Sequence, residues 1–590
     1  MKMSQGRVFL VWALLSVGST VFSVASAADD ISGKIEEANK QVFAARQQVS
    51  QLRNAAAKLA KDTPGKDGAA AATGRYAEGI SALQAADIGN LSVNVYTLES
   101  KLGDLRLESA ILDAREGNAG PALDTLESFS SRAMISGLDT MLKSNFDSLK
   151  GEPRYQQFLK QQAMPASMGN KSVIGSAYQE KLSVAERVAG LSLFWAEARR
   201  SFVHFSHVPD LDWDKVYMDF LPQVLAAQTT REYYDVMLRL APLLQDGHTN
   251  IYPPEKLSDI YYSRPALRTS LIGGTVLITD VYNRSLAGRV HAGDEITSID
   301  GMPVHDYAQQ RVAPLASSST PQDKEVRMYS YQLLLGEKNT DIRLGLRDAQ
   351  GKDRVETVQR GQVRDILYPP QFEFRMLPGD IAYMVLGNFE DKNGPREFEK
   401  VFPQILQAKG LILDVRANGG GSSNLGYDIL SFLSKKGIPV SLSLERQESN
   451  TQRAKGTDLM LLRPQLNAFS TPYVVAHPKV YDGPVAVLAG PKTFSAAEDF
   501  LVSFDTMKRG IIVGTPTGGS TGQPLTLKLP GGGTARICVK HDYYPDGREF
   551  VGKGIAPDIS AAQTVEDQRA GRDAVLEQAV AAIQAGKAVH

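Results

Sequence analysis

Three short apolar runs, two of them leading directly into helical stretches, constrain the fold of this 590-residue chain more than any other feature. Gly410-Leu411-Ile412-Leu413-Asp414-Val415 is followed by Asn418-Gly419-Gly420-Gly421 and a helical pattern starting near Ser423. Pro484 to Gly490 is followed by Ser495 and a helix through Met507, and Ile511-Ile512-Val513-Gly514 is the third run. Such short runs read as buried strands, and strands alternating with helices need crossover connections, so an α/β core is expected. The chain is too long for one core, which predicts several domains.

Upstream, Lys2 and Arg7 lead into the apolar stretch Val8 to Val24, closed by Ala25-Ser26-Ala27. This is the layout of a cleavable secretory signal over 1–27, and it predicts a periplasmic or secreted protein with no membrane span after signal removal. Cys538 is the only cysteine, so no intramolecular disulfide can form. The formal net charge of -1 offers no electrostatic footprint for nucleic acid.

Residues 28–170 are expected to form a helical domain. An apolar stripe at three-four spacing runs from Ile31 to Leu59, and Gly68 to Gly74 reads as a linker. The segments around Ala122 to Leu126 and Leu149 to Tyr155 resemble a tetratricopeptide-type helical pair, with a plain bundle as the alternative. Such helices offer a surface for a protein partner or for self-association. A second helical block, 171–261, ends in a helix that opens with the capping pattern Thr229-Thr230-Arg231-Glu232 and closes at Asp246-Gly247, so that His248 emerges on a sharp turn. Between 262 and 362 short strands take over. There, Leu286-Ala287-Gly288 followed by Ala292 to Val304 resembles the signature of PDZ domains, which bind peptides by adding them to a sheet edge; the alternative is a β spacer without a ligand. The α/β core is assigned to 363–590.

A serine hydroxyl needs a base and an oxyanion site to act as a nucleophile. Ser495 precedes the helix Ala496-Ala497-Glu498-Asp499, where free N–H groups and the helix dipole favour negative charge and the Ala496 amide is a natural oxyanion donor. The glycine loop can aim a second amide, from Gly419 or Gly420, and His248 can supply a neutral imidazole. Each feature also has a purely structural reading. Ser495 with Glu498 fits a helix cap, the glycines fit a tight turn, and His248 fits a helix C-terminus.

Taken together, Leu244-Gln245-Asp246-Gly247-His248-Thr249, Leu411 to Gly421, Thr493-Phe494-Ser495-Ala496-Ala497-Glu498 and Gly552-Lys553-Gly554-Ile555-Ala556-Pro557-Asp558-Ile559 resemble peptidase family S41, in its tricorn-core and interphotoreceptor-retinoid-binding-protein branch. The resemblance covers about residues 178 to 565 and implies a crotonase-like core of repeated ββα units with a PDZ-like insert. It also implies a serine endopeptidase of extended or unfolded polypeptides, with Ser495 as nucleophile and Gly419 or Gly420 with Ala496 as oxyanion hole. The tail-specific processing branch uses a lysine base, but Ser520 stands where that lysine is expected, so the base falls to His248. The histidine branch carries a serine before the histidine, where this chain has Gly247, and a glutamate near the C-terminal motif, for which Glu549 is the candidate. Glu549 could equally be a solvated charge, and Glu498 and Asp246 are further candidates.

The alternative to an enzyme is a catalytically silent ligand- or peptide-binding protein on the same scaffold. An acyl-CoA enzyme is disfavoured because no basic cluster flanks the glycine loop, and an α/β-hydrolase because Thr493 to Ala497 lacks elbow glycines. No cofactor is expected. The eight histidines are scattered along the sequence, which gives no sign of a metal site.

Overall fold

The computed structural model describes residues 48, 51–63, 66–85, 105–129, 145–162, 174–283, 285–361, 370–448, 450–456, 460–464, 473, 475 and 477–587. The proposed signal segment lies outside them. The chain divides into two compact units, Met1–Pro165 and Ala166–His590.

The first unit is helical throughout its described parts. Helices Ala119–Phe129 and Pro153–Gln162 share a core with Leu107, Ala110 and Phe146, so the paired helices read from the sequence are present. Gly68 to Gly74 is not a linker but lies inside the helix Lys66–Ala85. The stretch holds four alanines, whose helix propensity outweighs the cost of its two glycines.

The second unit is built on a six-stranded sheet in the order Ile559–Ser560, Ile511–Gly514, Val485–Ala489, Gly410–Asp414, Ile381–Leu386, Phe372–Leu377. All neighbours are parallel except the last pair. The two central strands are buried at every position because both faces are covered, which is why the sequence runs there are continuously apolar. Helices Asn393–Ile405, Ser423–Ser431 and Ala496–Thr506 pack through Phe398, Phe402, Ile429 and Phe500 on one face. Helix Ala574–Gln584 covers the other through Val575, Leu576, Ala579 and Ile583. Arg416 pins that helix, forming ion pairs with Asp414 at 2.6 Å and with its N-cap Asp573 at 2.7 Å. This arrangement is the expected α/β core, preceded by helices.

Two additions bring the middle of the chain to this sheet. Helices Val184–Ser201, Trp213–Ala226 and Thr230–Met237 share a core with Ile251, Ala535 and Ile537. Here strand Asn250–Tyr252 pairs antiparallel with Thr534–Cys538, Asn250 opposite Arg536, which carries the preceding turn to the C-terminal part of the chain. The helix capped by Thr229 ends at Met237 rather than at Gln245; a 3-10 turn, Ala241–Leu244, follows, and the left-handed residue is Gln245 (φ 48°), not Gly247. Pro242, inside that turn, has no N–H to continue an α-helix. The segment from Leu267 to Gln359 forms an antiparallel sheet in the order Leu267–Ile272, Thr275–Val281, Glu295–Ile299, Asp341–Arg347, Asp353–Gln359 around its own apolar core.

Phe500 is fully buried, with its ring 5.7 Å from that of Phe389, in the helix that Ser495 begins. Truncating a buried phenylalanine costs about 3–5 kcal/mol. Phe500→Ala is therefore expected to lower the urea midpoint of the second unit's unfolding without changing that of the first, as read by hydrogen exchange.

Candidate active site

Ser495 sits on the connection from strand Val485–Ala489 to helix Ala496–Thr506 with φ 56° and ψ -126°. A non-glycine residue in this region carries strain of roughly 1–3 kcal/mol, so its surroundings must hold it there. They do so through the backbone. The Ser495 N–H donates to Ser520 O at 3.0 Å and to Glu498 Oε2 at 3.2 Å, and the Phe494 N–H donates to Asn418 O at 3.0 Å. Thr493 Oγ1 donates to Val415 O at 2.8 Å, tying the turn to the neighbouring strand. A sharp serine turn thus forms without elbow glycines, helped by the small, buried Ala496 and Ala497.

His248 comes to this turn from the other side. Asp246 Oδ2 accepts from the His248 N–H at 3.1 Å and from Thr249 Oγ1 at 2.7 Å, which fixes the backbone. The ring stacks on Phe494 with centroids 4.7 Å apart and planes 16° from parallel. Its Nε2 lies 2.9 Å from Ser495 Oγ and its Nδ1 lies 2.8 Å from Ser520 Oγ. With Nδ1–H donating to Ser520, Nε2 is left as the acceptor for the Ser495 hydroxyl. Burial pushes the imidazole from its ordinary 6.5 to about 4, so it is neutral at neutral pH.

The glycine loop lies against the same point. A Cβ on Gly420 (φ 101°) would fall 2.6 Å from Ser495 Cβ and 3.0 Å from the Ala496 nitrogen, so only glycine fits. Asn418 Oδ1 accepts from the Gly420 N–H at 2.9 Å and orients that amide, while a Cβ at Gly419 would meet open space.

Of the three carboxylates considered from the sequence, none touches the imidazole ring. Glu549 is half-exposed and pairs with Lys553 at 3.1 Å, four residues on. Asp246 holds the histidine's backbone. Glu498 is fully buried and accepts from the Ser495 N–H, Thr517 Oγ1 (2.6 Å), the Gly519 N–H (2.7 Å) and the Ser520 N–H (2.9 Å). The place beside Nδ1 belongs to Ser520, read from the sequence only as a missing lysine. Gly247 has no room for a serine: a Cβ there would meet Phe494 Cζ at 2.8 Å and Asp323 Oδ2 at 3.0 Å.

The loop before the second half of the β insert closes over this region. Ser319 Oγ accepts from the Gly247 N–H at 2.9 Å, Thr320 Oγ1 donates to Gly518 O at 2.8 Å, and Arg327 donates to Gly247 O at 3.1 Å.

Residues 380–561 match the model of peptidase family S41. The chain is 22% identical over 392 residues to the chloroplastic C-terminal processing peptidase of Tetradesmus obliquus, covering 62% of this chain and 75% of that one. It is 23% identical over 384 residues to putative tricorn protease homolog 2 of Streptomyces coelicolor (63% of this chain, 30% of the relative) and 24% identical over 257 residues to the tail-specific protease of Haemophilus influenzae (40% and 33%). Among solved structures, mature CPAF complexed with lactacystin superposes with a TM-score of 0.55 at 16% identity, covering 68% of this chain and 98% of that one, a likeness of fold.

Burial raises Glu498 from its ordinary 4.5 to about 7, against the pull of its hydrogen-bond donors. A carboxyl that keeps its proton longer when folded loses stabilising effect as pH rises from 4.5 through 7, whereas His248, depressed by burial, gains it between about 4 and 6.5. The two slopes oppose each other. Glu498→Gln is therefore expected to make stability rise more steeply with pH across this window, and an unchanged slope in a pH series of urea melts would contradict the assignment.

Proposed function

We propose that the chain is a serine-type peptidase of family S41, the family whose model its residues 380–561 match, and that it hydrolyses extended polypeptides with Ser495 as nucleophile and His248 as general base. The observation that carries this reading is the 2.9 Å contact between His248 Nε2 and Ser495 Oγ, made across 247 residues of sequence onto a strained serine turn. In the reaction, Nε2 takes the hydroxyl proton as Oγ attacks the scissile carbonyl. The Ala496 and Gly419 amides receive the oxyanion, the Gly420 N–H being already held by Asn418 Oδ1. His248 then protonates the leaving amine, and the acyl-enzyme is hydrolysed by water that the same imidazole deprotonates. Ser520 holds Nδ1–H and so keeps the tautomer that this cycle needs; Glu549 is left without a part in it.

Further support comes from the surroundings. Parallel strands, all but Ile511–Gly514 followed by a helix, are consistent with a crotonase-like core, and the antiparallel sheet between Leu267 and Gln359 with a PDZ-like insert that admits a peptide. A cleft of about 270 Å³ lined by Ile251, Tyr252, Tyr261, Tyr262 and Leu315 adjoins the strand that follows His248, and its apolar walls suit the side chains of an unfolded segment. Export rests on the pattern from Lys2 to Ala27; among the described residues no helix is long and apolar enough to cross a membrane. A catalytically silent binding protein would have no need of the Ser495–His248 contact.

Digestion of an unfolded protein by the wild type is expected to fall by at least about 10⁴-fold in Ser495→Ala and in His248→Ala. A fluorophosphonate should label the wild type and not Ser495→Ala; absence of wild-type labelling would favour the silent binder. Loss of a neutral hydrogen bond worth about 1 kcal/mol predicts that Ser520→Ala lowers kcat roughly fivefold with little change in KM. Ser520→Thr, which keeps the hydroxyl, should restore most of that loss, whereas a merely structural serine would give no such rescue.

A further inference from the structure

Next to the active site the fold collects residues that are far apart in the sequence. His204, Asp246 and Cys538 are all buried, and one nitrogen, one oxygen and one sulfur from them lie within 4.8 Å of one another. Cys538 Sγ is 3.6 Å from His204 Nε2. Ligands at zinc-sulfur and zinc-nitrogen distances on a tetrahedron stand about 3.6 Å apart, so this pair is already spaced as an edge of such a site.

The surroundings of this pair are rich in imidazole. His204 is fully buried, with Nε2 turned to Cys538 and with Nδ1, on the opposite side of the ring, lacking a hydrogen-bond partner, and His541, 3% exposed, has an unpartnered Nε2. The two rings are in contact, 4.6 Å between centroids, and His207 stacks on His204 at 5.0 Å. A buried polar atom left without a partner costs about 1–3 kcal/mol, and two such atoms in touching rings are unusual. Asp246 retains acceptor capacity, because its bonds to His248, Thr249 and Ser319 leave lone pairs unused.

We propose that His204, Cys538 and Asp246 form a binding site for a borderline-soft divalent metal of the zinc class. Three protein ligands of N, S and O type leave a fourth position for water, and the His541 ring packs against His204. Binding replaces the thiol proton of Cys538, which leaves to solvent, and no redox change is involved. The site would act on catalysis by position. Asp246 fixes the His248 N–H, and the Cys538 N–H donates to Thr249 Oγ1 at 3.1 Å, so a metal would lock the two segments on either side of the imidazole.

The test titrates the chelator-treated full chain with Co(II), which reports thiolate ligation through a near-ultraviolet charge-transfer band. About one equivalent is expected to bind with that band, and to raise the melting temperature of the second unit. Cys538→Ser should abolish the band, and His204→Gln should weaken binding by at least roughly 100-fold, while the exposed His291→Gln changes neither. No saturable binding by the wild type, or an unchanged spectrum in Cys538→Ser, overturns the proposal. The wild-type titration stands alone if either buried variant fails to fold.

Discussion

The active-site geometry depends on one buried carboxylate. Glu498 receives four hydrogen bonds, from the amide of Ser495 and from three donors in the Thr517–Ser520 loop. Through the first it holds the strained turn that presents Ser495, and through the others it holds the loop whose last residue reaches His248. Both ends of the Ser495–His248–Ser520 chain are thereby referred to one group, so the hydroxyl, the imidazole and the second hydroxyl keep their spacing together. Four donors around a fully buried acceptor are what makes its burial tolerable, since any one left unmatched would cost about as much as a lost hydrogen bond.

How the second unit delivers His248 follows from its sheets. The histidine lies well before the α/β core in sequence, and strand pairing rather than chain proximity carries it there: Asn250–Tyr252 adds to Thr534–Cys538, which lies between the loop bearing Ser520 and the strand bearing His541. Phe494, next to Ser495, then offers its face to the imidazole while Arg327 from the β insert lies over the Phe494 ring, 5.3 Å from its centroid. The insert is thus part of the wall around His248, and Gly247 is glycine because this wall leaves no space for a Cβ.

Much of this was legible in the sequence because its signals are local. Buried strands announce themselves as apolar runs, as at Leu411 to Leu413, and the glycine loop and the serine before a helix can be read at sight. The orienting group was not legible, because hydrogen bonding across 272 positions leaves no local pattern; Ser520 looked like a lost lysine rather than a partner for Nδ1. The end of the helix before His248 is hidden for a related reason, since Asp246-Gly247 resembles a helix stop whereas the helix ends at Met237, ahead of Pro242. Likewise, histidines at 204, 207 and 541 look scattered until strand pairing gathers them.

Pairing Nδ1 with a hydroxyl rather than a carboxylate changes how the base must work. Burial opposes the imidazolium, and this more than anything drives His248 down to about 4, while a neutral partner at Nδ1 offers that cation only roughly half the stabilisation of a charge-assisted bond. Such a histidine is reliably unprotonated and ready to accept, but a weak base in the resting enzyme. In the proposed reaction it holds a proton only when negative charge appears beside it, and the oxyanion formed next to Ser495 would be that charge. On the proposed mechanism, proton transfer and oxyanion formation have to advance together, and the amides of Ala496 and Gly419 are not an accessory to His248 but the condition for its working as a base.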